Sequence, residues 1–299
     1  MSQALNYRPL RCERTRGYAR LWPLARQELF SVFKTKWGVA LYLFCLIPGL
    51  GRLVMLLIIF GVIQFGPVSL RNRLDNDVPE GMLHLSPDHA SFYLHSTLEP
   101  MPGMVFFLLL TTLVVARSIA RDRATNALEL YWTRGISPWS YLFAKWWGGF
   151  LLTCTVTVVL PLSLWITACF LAEDWTLLQE TYAQFFVGLF GVAALTALWT
   201  LIGTFVSASA SSANAAMVIW CVLLVGTRAL GGILSGILRE PELMSCLSFW
   251  DAGGVIVRAM ADLPQPRHWL GGALATFAVL FVATLLIARS RMRVQEALK

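Results

Sequence analysis

Residues Ser118–Trp147 read SIARDRATNALELYWTRGISPWSYLFAKWW, a polar and charged stretch set between two of the most apolar segments of the chain. Within it, Ala127, Leu128, Tyr131 and Trp132 fall at i, i+1, i+4 and i+5 and form one apolar face of a short helix over Asn126–Trp132, with Asn126, Glu129 and Thr133 pointing away. Gly135 and Pro138 stop that helix. Trp139, Tyr141, Lys145, Trp146 and Trp147 follow at once, the mixture of aromatic and cationic residues found at a membrane–water boundary just before a spanning helix. The stretch predicts a helical elbow at a bilayer surface between two spans, with its charges and Glu129 turned to water.

Composition supports a lipid-solvated chain. Of 299 residues 57% are hydrophobic and 14% charged, with a mean hydropathy of +0.64; a soluble domain carries about 25% charged residues. The net charge of +7 does not point to nucleic acid, because the basic residues are not interleaved with stacking aromatics on a soluble face. The six cysteines (Cys12, Cys45, Cys154, Cys169, Cys221, Cys246) form no CxxC pair, and four lie inside apolar runs, where a small buried hydrophobe is the ordinary role. The first apolar run starts too late and is too long for a cleavable leader.

Working outward, residues 1–20 form a basic tail with five arginines. Over 21–37, Trp22, Ala25, Leu29, Phe30, Phe33 and Trp37 recur at three- and four-residue steps, with Arg26, Gln27, Glu28, Lys34 and Thr35 off that face. This spacing predicts an amphipathic helix lying flat on a membrane. Six apolar segments follow, at 38–64, 102–118, 143–171, 185–206, 215–237 and 269–288, each near the ~20 residues a span requires. The fold class expected is therefore all-α: six transmembrane helices within 38–288, preceded by an interfacial helix, with a tail at 289–299. Seventeen Lys/Arg fall on the side of the N-terminus (1–37), the elbow stretch 117–145 and the C-terminal tail, against five in the loops 65–101, 172–184 and 238–268. That imbalance predicts both termini and the elbow in the cytoplasm of a cell-membrane protein. The turn at 207–214 makes a tight hairpin, and LSFWDAGGVIVRAM within 238–268 is too short to span, so a re-entrant or interfacial helix is expected there.

Few residues offer chemistry. Arg52, after a Pro48–Gly51 break, and Arg228 fall inside apolar runs, where a charge costs roughly 2.5–3.5 kcal/mol, so both are candidates for lining a pathway, with snorkelling as the plain alternative. His84, His89 and His95 have poor metal-ligand spacing, and no metal site is expected. No GxxxxGK[ST], HExxH or paired intramembrane carboxylates occur, so no catalytic residue and no cofactor is expected in this chain.

The segment NALELYWTRGISPWSYLFAKW resembles the cytoplasmic segment of ABC-2-type transporter permeases, roughly Gly-Thr-Leu-Glu-Leu-Leu-Leu, two residues, Pro-Val-Ser, then Gly-Lys. On that pattern Leu128, Glu129 and Leu130 fall on the Leu-Glu-Leu core, Ile136 and Ser137 on Val-Ser, and Lys145 on the terminal Lys. Asn126-Ala127, Gly135 and Ala144 depart from it. ARQELFSVFKTKW is similar to the helix that opens such permeases. The resemblance implies a permease subunit of an ATP-driven exporter that dimerises, sits among membrane lipids and docks a separate ATP-binding cassette subunit, which would bind the ATP. It implies coupling roles for Leu128, Glu129, Tyr131, Trp132, Ser137 and Lys145, and names no substrate. Alternatives are a non-transporting scaffold or sensor, and an ion-coupled carrier, the latter disfavoured by spans without Asp or Glu.

The topology is checked by reporter fusions. Those near residues 90, 180 and 255 should report the outer side and those near 130 and 212 the cytoplasm; a cytoplasmic signal at 180 contradicts the arrangement.

Overall fold

The computed structural model describes residues 21–62, 85–128, 131, 136–172, 175–240, 242–263 and 270–297, and every regular element among them is helical. The basic tail, most of the 65–101 loop, His84, Glu129 and Trp132 lie outside the described residues. The chain begins with α1 (Trp22–Leu29), a 3₁₀ turn (Val32–Lys34), α2 (Lys36–Cys45) and α3 (Ile47–Ile59). After α4 (Ala90–Leu98) come α5 (Val105–Thr111), a π-helical turn (Thr112–Ala116) and α6 (Ser118–Ala124). Then follow α7 (Pro138–Leu171), α8 (Thr176–Ser209) and α9 (Ala213–Leu238). The last elements are α10 (Glu242–Leu247), α11 (Phe249–Met260) and α12 (Leu270–Ala297).

Four described helices are long and apolar enough to cross a membrane: α7, α8, α9 and Leu270–Ser290 of α12. The run expected at 38–64 becomes a fifth if α2 and α3 count as one span, for the two are bent by 41°. The cause is local: Pro48 sits in the first turn of α3, where it supplies no amide to a helix continuing from α2. The run expected at 102–118 is helical, but a break at Arg117 separates its π turn from α6, so it makes no single helix of spanning length. Six spans are thus an expectation that the described helices meet in four cases, or five.

Two further expectations change. Residues 21–37 do not form one helix: α1 has eight residues, and Ser31–Thr35 turn the chain before Thr35 caps α2 through its side chain, accepting from the Gly38 amide. Glu28, placed by spacing on the outward face, points inward with Leu24, Ala25 and Val32, while Trp22, Phe30, Phe33 and Trp37 are exposed. Two of the expected loops also contain helix among the described residues. Helix α8 starts at Thr176 and absorbs most of 172–184, and α4 takes the end of 65–101 into the interior, with Phe92, Tyr93 and Leu94 fully buried.

Helix α8 is the axis of the packing. At about 1.5 Å per residue its 34 residues run ~50 Å. Along its first two thirds it carries α4 and α11, two helices too short to span that bury their apolar faces in the bundle. Trp199 of α8 stacks on Trp250 of α11, with ring centroids 4.2 Å apart, and the Trp250 indole donates to the Leu98 carbonyl at the end of α4. The expected 238–268 helix is therefore present as α11, and it is buried rather than laid on a surface. The last turn of α8 meets α6 and α7, where Leu24, Ile119, Leu128, Tyr141, Leu142, Phe205, Ala208 and Ala288 form a second core.

Helix α1 lies directly on α7. A Cβ at Gly148 would stand 2.4 Å from the Ala25 carbonyl oxygen, so only glycine allows the two backbones this approach. Gly148→Val should separate them, at a cost of about 1–3 kcal/mol for overpacking. It should lower the thermal midpoint and expose the 30–35 turn to protease, with membrane insertion intact. A parental midpoint and digest would contradict the contact.

Candidate functional site: a buried ion cluster at the root of the elbow

Helix α6 is short, yet three sets of bonds hold it. Its first amides, Ile119 and Ala120, donate to Ser207 Oγ of α8 at 3.1 and 3.2 Å. These are orphan donors of a helix start, satisfied here by a neighbouring helix. Near the other end of α6, the Arg123 guanidinium donates to the Ala208 and Ala210 carbonyls, which the end of α8 leaves unbonded. Between them Asp122 points to α7. There Lys145 Nζ donates to Asp122 Oδ2 at 2.8 Å and to Glu28 Oε2 of α1 at 2.7 Å, and the Tyr141 hydroxyl donates to the same Asp122 oxygen at 2.6 Å.

This cluster ties α1, α6 and α7 together beneath the surface. Lys145 is 4% and Glu28 6% exposed. The lysine lies on a helical face otherwise made of Tyr141, Leu142, Ala144, Gly148, Gly149 and Leu152. Burial pushes the Glu28 carboxyl above its ordinary value of 4.5, while Lys145 pulls it down and the neighbouring Asp122 adds to the rise.

The elbow grows from this joint. Asn126 takes a left-handed conformation, φ 55°, and its amide bonds the Arg123 carbonyl, ending α6 in the manner open to asparagine. The short helix therefore begins at Ala127 rather than Asn126. Leu128 is buried in the second core and the Tyr131 ring lies 5.3 Å from Tyr141, so these two residues face their own chain. Ser137 is exposed and caps α7, accepting from the Ser140 amide at 3.2 Å. Lys145, aligned with the family's terminal lysine, is inside the protein and paired.

The arginines singled out within apolar runs both meet the two short buried helices. The Arg52 guanidinium lies over the Phe92 ring of α4, 5.2 Å from its centroid. Arg228 Nε donates to Asp251 of α11 at 3.1 Å. Arg258 of α11 pairs with Glu99, which His95 also approaches at 3.7 Å. Acidic groups are thus present at this end of the bundle, and the described ones that pair with arginine are locked to it. Sequence spacing missed Glu28, Asp122 and Tyr141. A usable signal was there: Leu24, Ala25, Glu28 and Val32 share one helical face, as do Tyr141, Leu142, Lys145 and Gly148, so each apolar face carries a single charge.

Several long apolar helices around α8, with two short helices sunk among them, define a multi-pass helical membrane protein. Residues 101–246 match the family model described as ABC-2 family transporter protein. The match covers just under half of the chain and supports an ABC-2-type permease, a membrane transport component. No curated protein matches the chain. Asp122, Tyr141 and Lys145 lie within the matched region and Glu28 before it.

Lys145→Met leaves the buried carboxylates without their cation. Removing one partner of a buried pair costs roughly 3–5 kcal/mol, so the detergent-purified variant should unfold at a clearly lower temperature. A parental midpoint would show that the cluster contributes no stability.

Proposed function

We propose that the chain is the membrane subunit of an ATP-driven ABC transporter, working as an exporter in the cytoplasmic membrane with both termini inside. It pairs with a second permease, and the 118–147 elbow docks a separate ATP-binding subunit. The family match implies such a subunit. The observation that carries the reading is the rooting of the elbow. A short cytoplasmic segment is fastened through Ser207, Arg123 and Asp122 to the ends of α8, α7 and α1. Displacing it by a partner moves the ends of long helices, which is what a ligand-biased two-state transporter needs.

In this reading the work divides along the elbow. Leu128 and Tyr131 hold it to the permease, Glu129 and Trp132 meet the partner, and Ser137 and Lys145 fix the start of α7. A large aromatic in a desolvated pocket dominates interface energy at roughly 2 kcal/mol or more, and Glu129 pairs with a basic residue of the partner. Arg52 and Arg228 stand beside α4 and α11, where they favour an anionic or zwitterionic amphiphile as the substrate.

Coexpression with a candidate Walker-motif ATP-binding subunit tests the docking. Glu129→Arg or Trp132→Ala should lower ATPase copurification about tenfold or more, while the permease inserts and unfolds like the parent. Copurification and transport at parental levels would rule the elbow out as the docking site.

A further inference from the structure

The ion cluster does not balance. Glu28, Asp122 and Lys145, all ionised, leave one surplus negative charge on a cluster in which Glu28 and Lys145 are buried and Asp122 is partly exposed. An uncompensated buried charge is costly, and a carboxyl in that position relieves the cost by taking a proton.

Geometry decides which carboxyl takes it. Asp122 Oδ2 accepts from two donors, Lys145 and the Tyr141 hydroxyl. Glu28 accepts from Lys145. Its Cβ lies 2.7 Å from where Gly148 would carry a side chain, so α7 closes over it. The charged and titratable groups around Glu28 are Lys145 and Tyr141 of α7, Asp122 and Arg121 of α6, and Arg26 of its own helix. Arg121 is exposed, so water screens it, and Arg26 is exposed and lies over Phe30. Neither replaces a proton inside the joint.

We propose that Glu28 holds a proton while α1, α6 and α7 are packed together, and that water admitted when the elbow draws α6 away releases it, so that coupling is proton-linked. Lys145 keeps its charge throughout, and the proton leaves to the aqueous phase. The proton site stands on the cluster alone; its link to coupling rests on the proposed function.

Linkage gives the direction. The packed state binds a proton that an opened or unfolded chain gives up above the ordinary value of 4.5, because burial raises this carboxyl. The stabilisation is full below 4.5 and is lost as pH rises from there through the raised value.

Infrared titration of the permease in lipid nanodiscs reads the proton directly. A protonated-carboxyl stretch should be present at neutral pH, vanish on alkalinisation and be absent from Glu28→Gln. That variant keeps an acceptor for Lys145, so it should fold, and its thermal midpoint should lose the fall with pH. Should it not fold, Asp122→Asn serves: Glu28 becomes the only carboxylate for Lys145, and the stretch should disappear. No stretch in the parent at neutral pH, or one that survives in Glu28→Gln, overturns the proton site. With the ATPase bound, Glu28→Gln should flatten the pH profile of stimulated hydrolysis. An unchanged profile overturns the link to coupling, and failure of the parent to bind any ATPase overturns the proposed function while the infrared result stands.

Discussion

One buried lysine holds the elbow end of this protein together. Lys145 lies between a carboxyl group from α1 and another from α6, with bonds of 2.7 and 2.8 Å. Each of those helices is short, eight and seven residues, and neither would persist alone in water. Their order comes from what they are bonded to. Remove the cation and both carboxyls lose the group that offsets their desolvation. Gly148 belongs to the same constraint, since the glutamate reaches the lysine only because α1 can press against the backbone of α7. Ser207 and Arg123 extend it to α8, so that four helices meet over the span of one short segment.

The other end of the bundle uses different physics. There α4 and α11 enter the interior as short helices, and aromatic stacking fixes them. Trp199 of α8 lies on Trp250 of α11, and Tyr93 of α4 packs edge-on against Phe185 of α8 at 5.7 Å. Two ion pairs described at that end, Arg228 with Asp251 and Arg258 with Glu99, each join a short helix to a neighbour. The chain thus has a polar joint rooted in α6 and an apolar, stacked plug in α4 and α11, with α8 running between them.

Much of this was legible in the sequence, and the rest has identifiable causes. Long apolar runs announced α7, α8, α9 and α12, because a span needs length and apolarity and both are local properties. The bend between α2 and α3 was marked by Pro48, and the short α11 by an apolar patch too brief to cross. Helix α4 escaped because Ser91, His95, Ser96 and Thr97 make its stretch look like solvated loop; burial of Phe92, Tyr93 and Leu94 is decided by α8, far along the chain. The ion cluster escaped for the same reason, since Glu28 and Lys145 are 117 residues apart. Single charges on apolar faces hinted at it, but a period identifies a face and not its partner. Leu128 and Tyr131 show the limit from the other side: spacing put them on one apolar face expected to anchor a partner, and in the structure Leu128 is buried in, and Tyr131 partly buried against, the chain's own core.

The central claim is that the elbow acts on the long helices through the Asp122–Lys145–Glu28 joint. Substrate-stimulated ATP hydrolysis by the assembled transporter, measured for Asp122→Asn beside the parent, tests it most directly. The account predicts that the variant assembles and keeps basal hydrolysis while stimulation falls at least tenfold. Parental stimulation with the joint so weakened would contradict it.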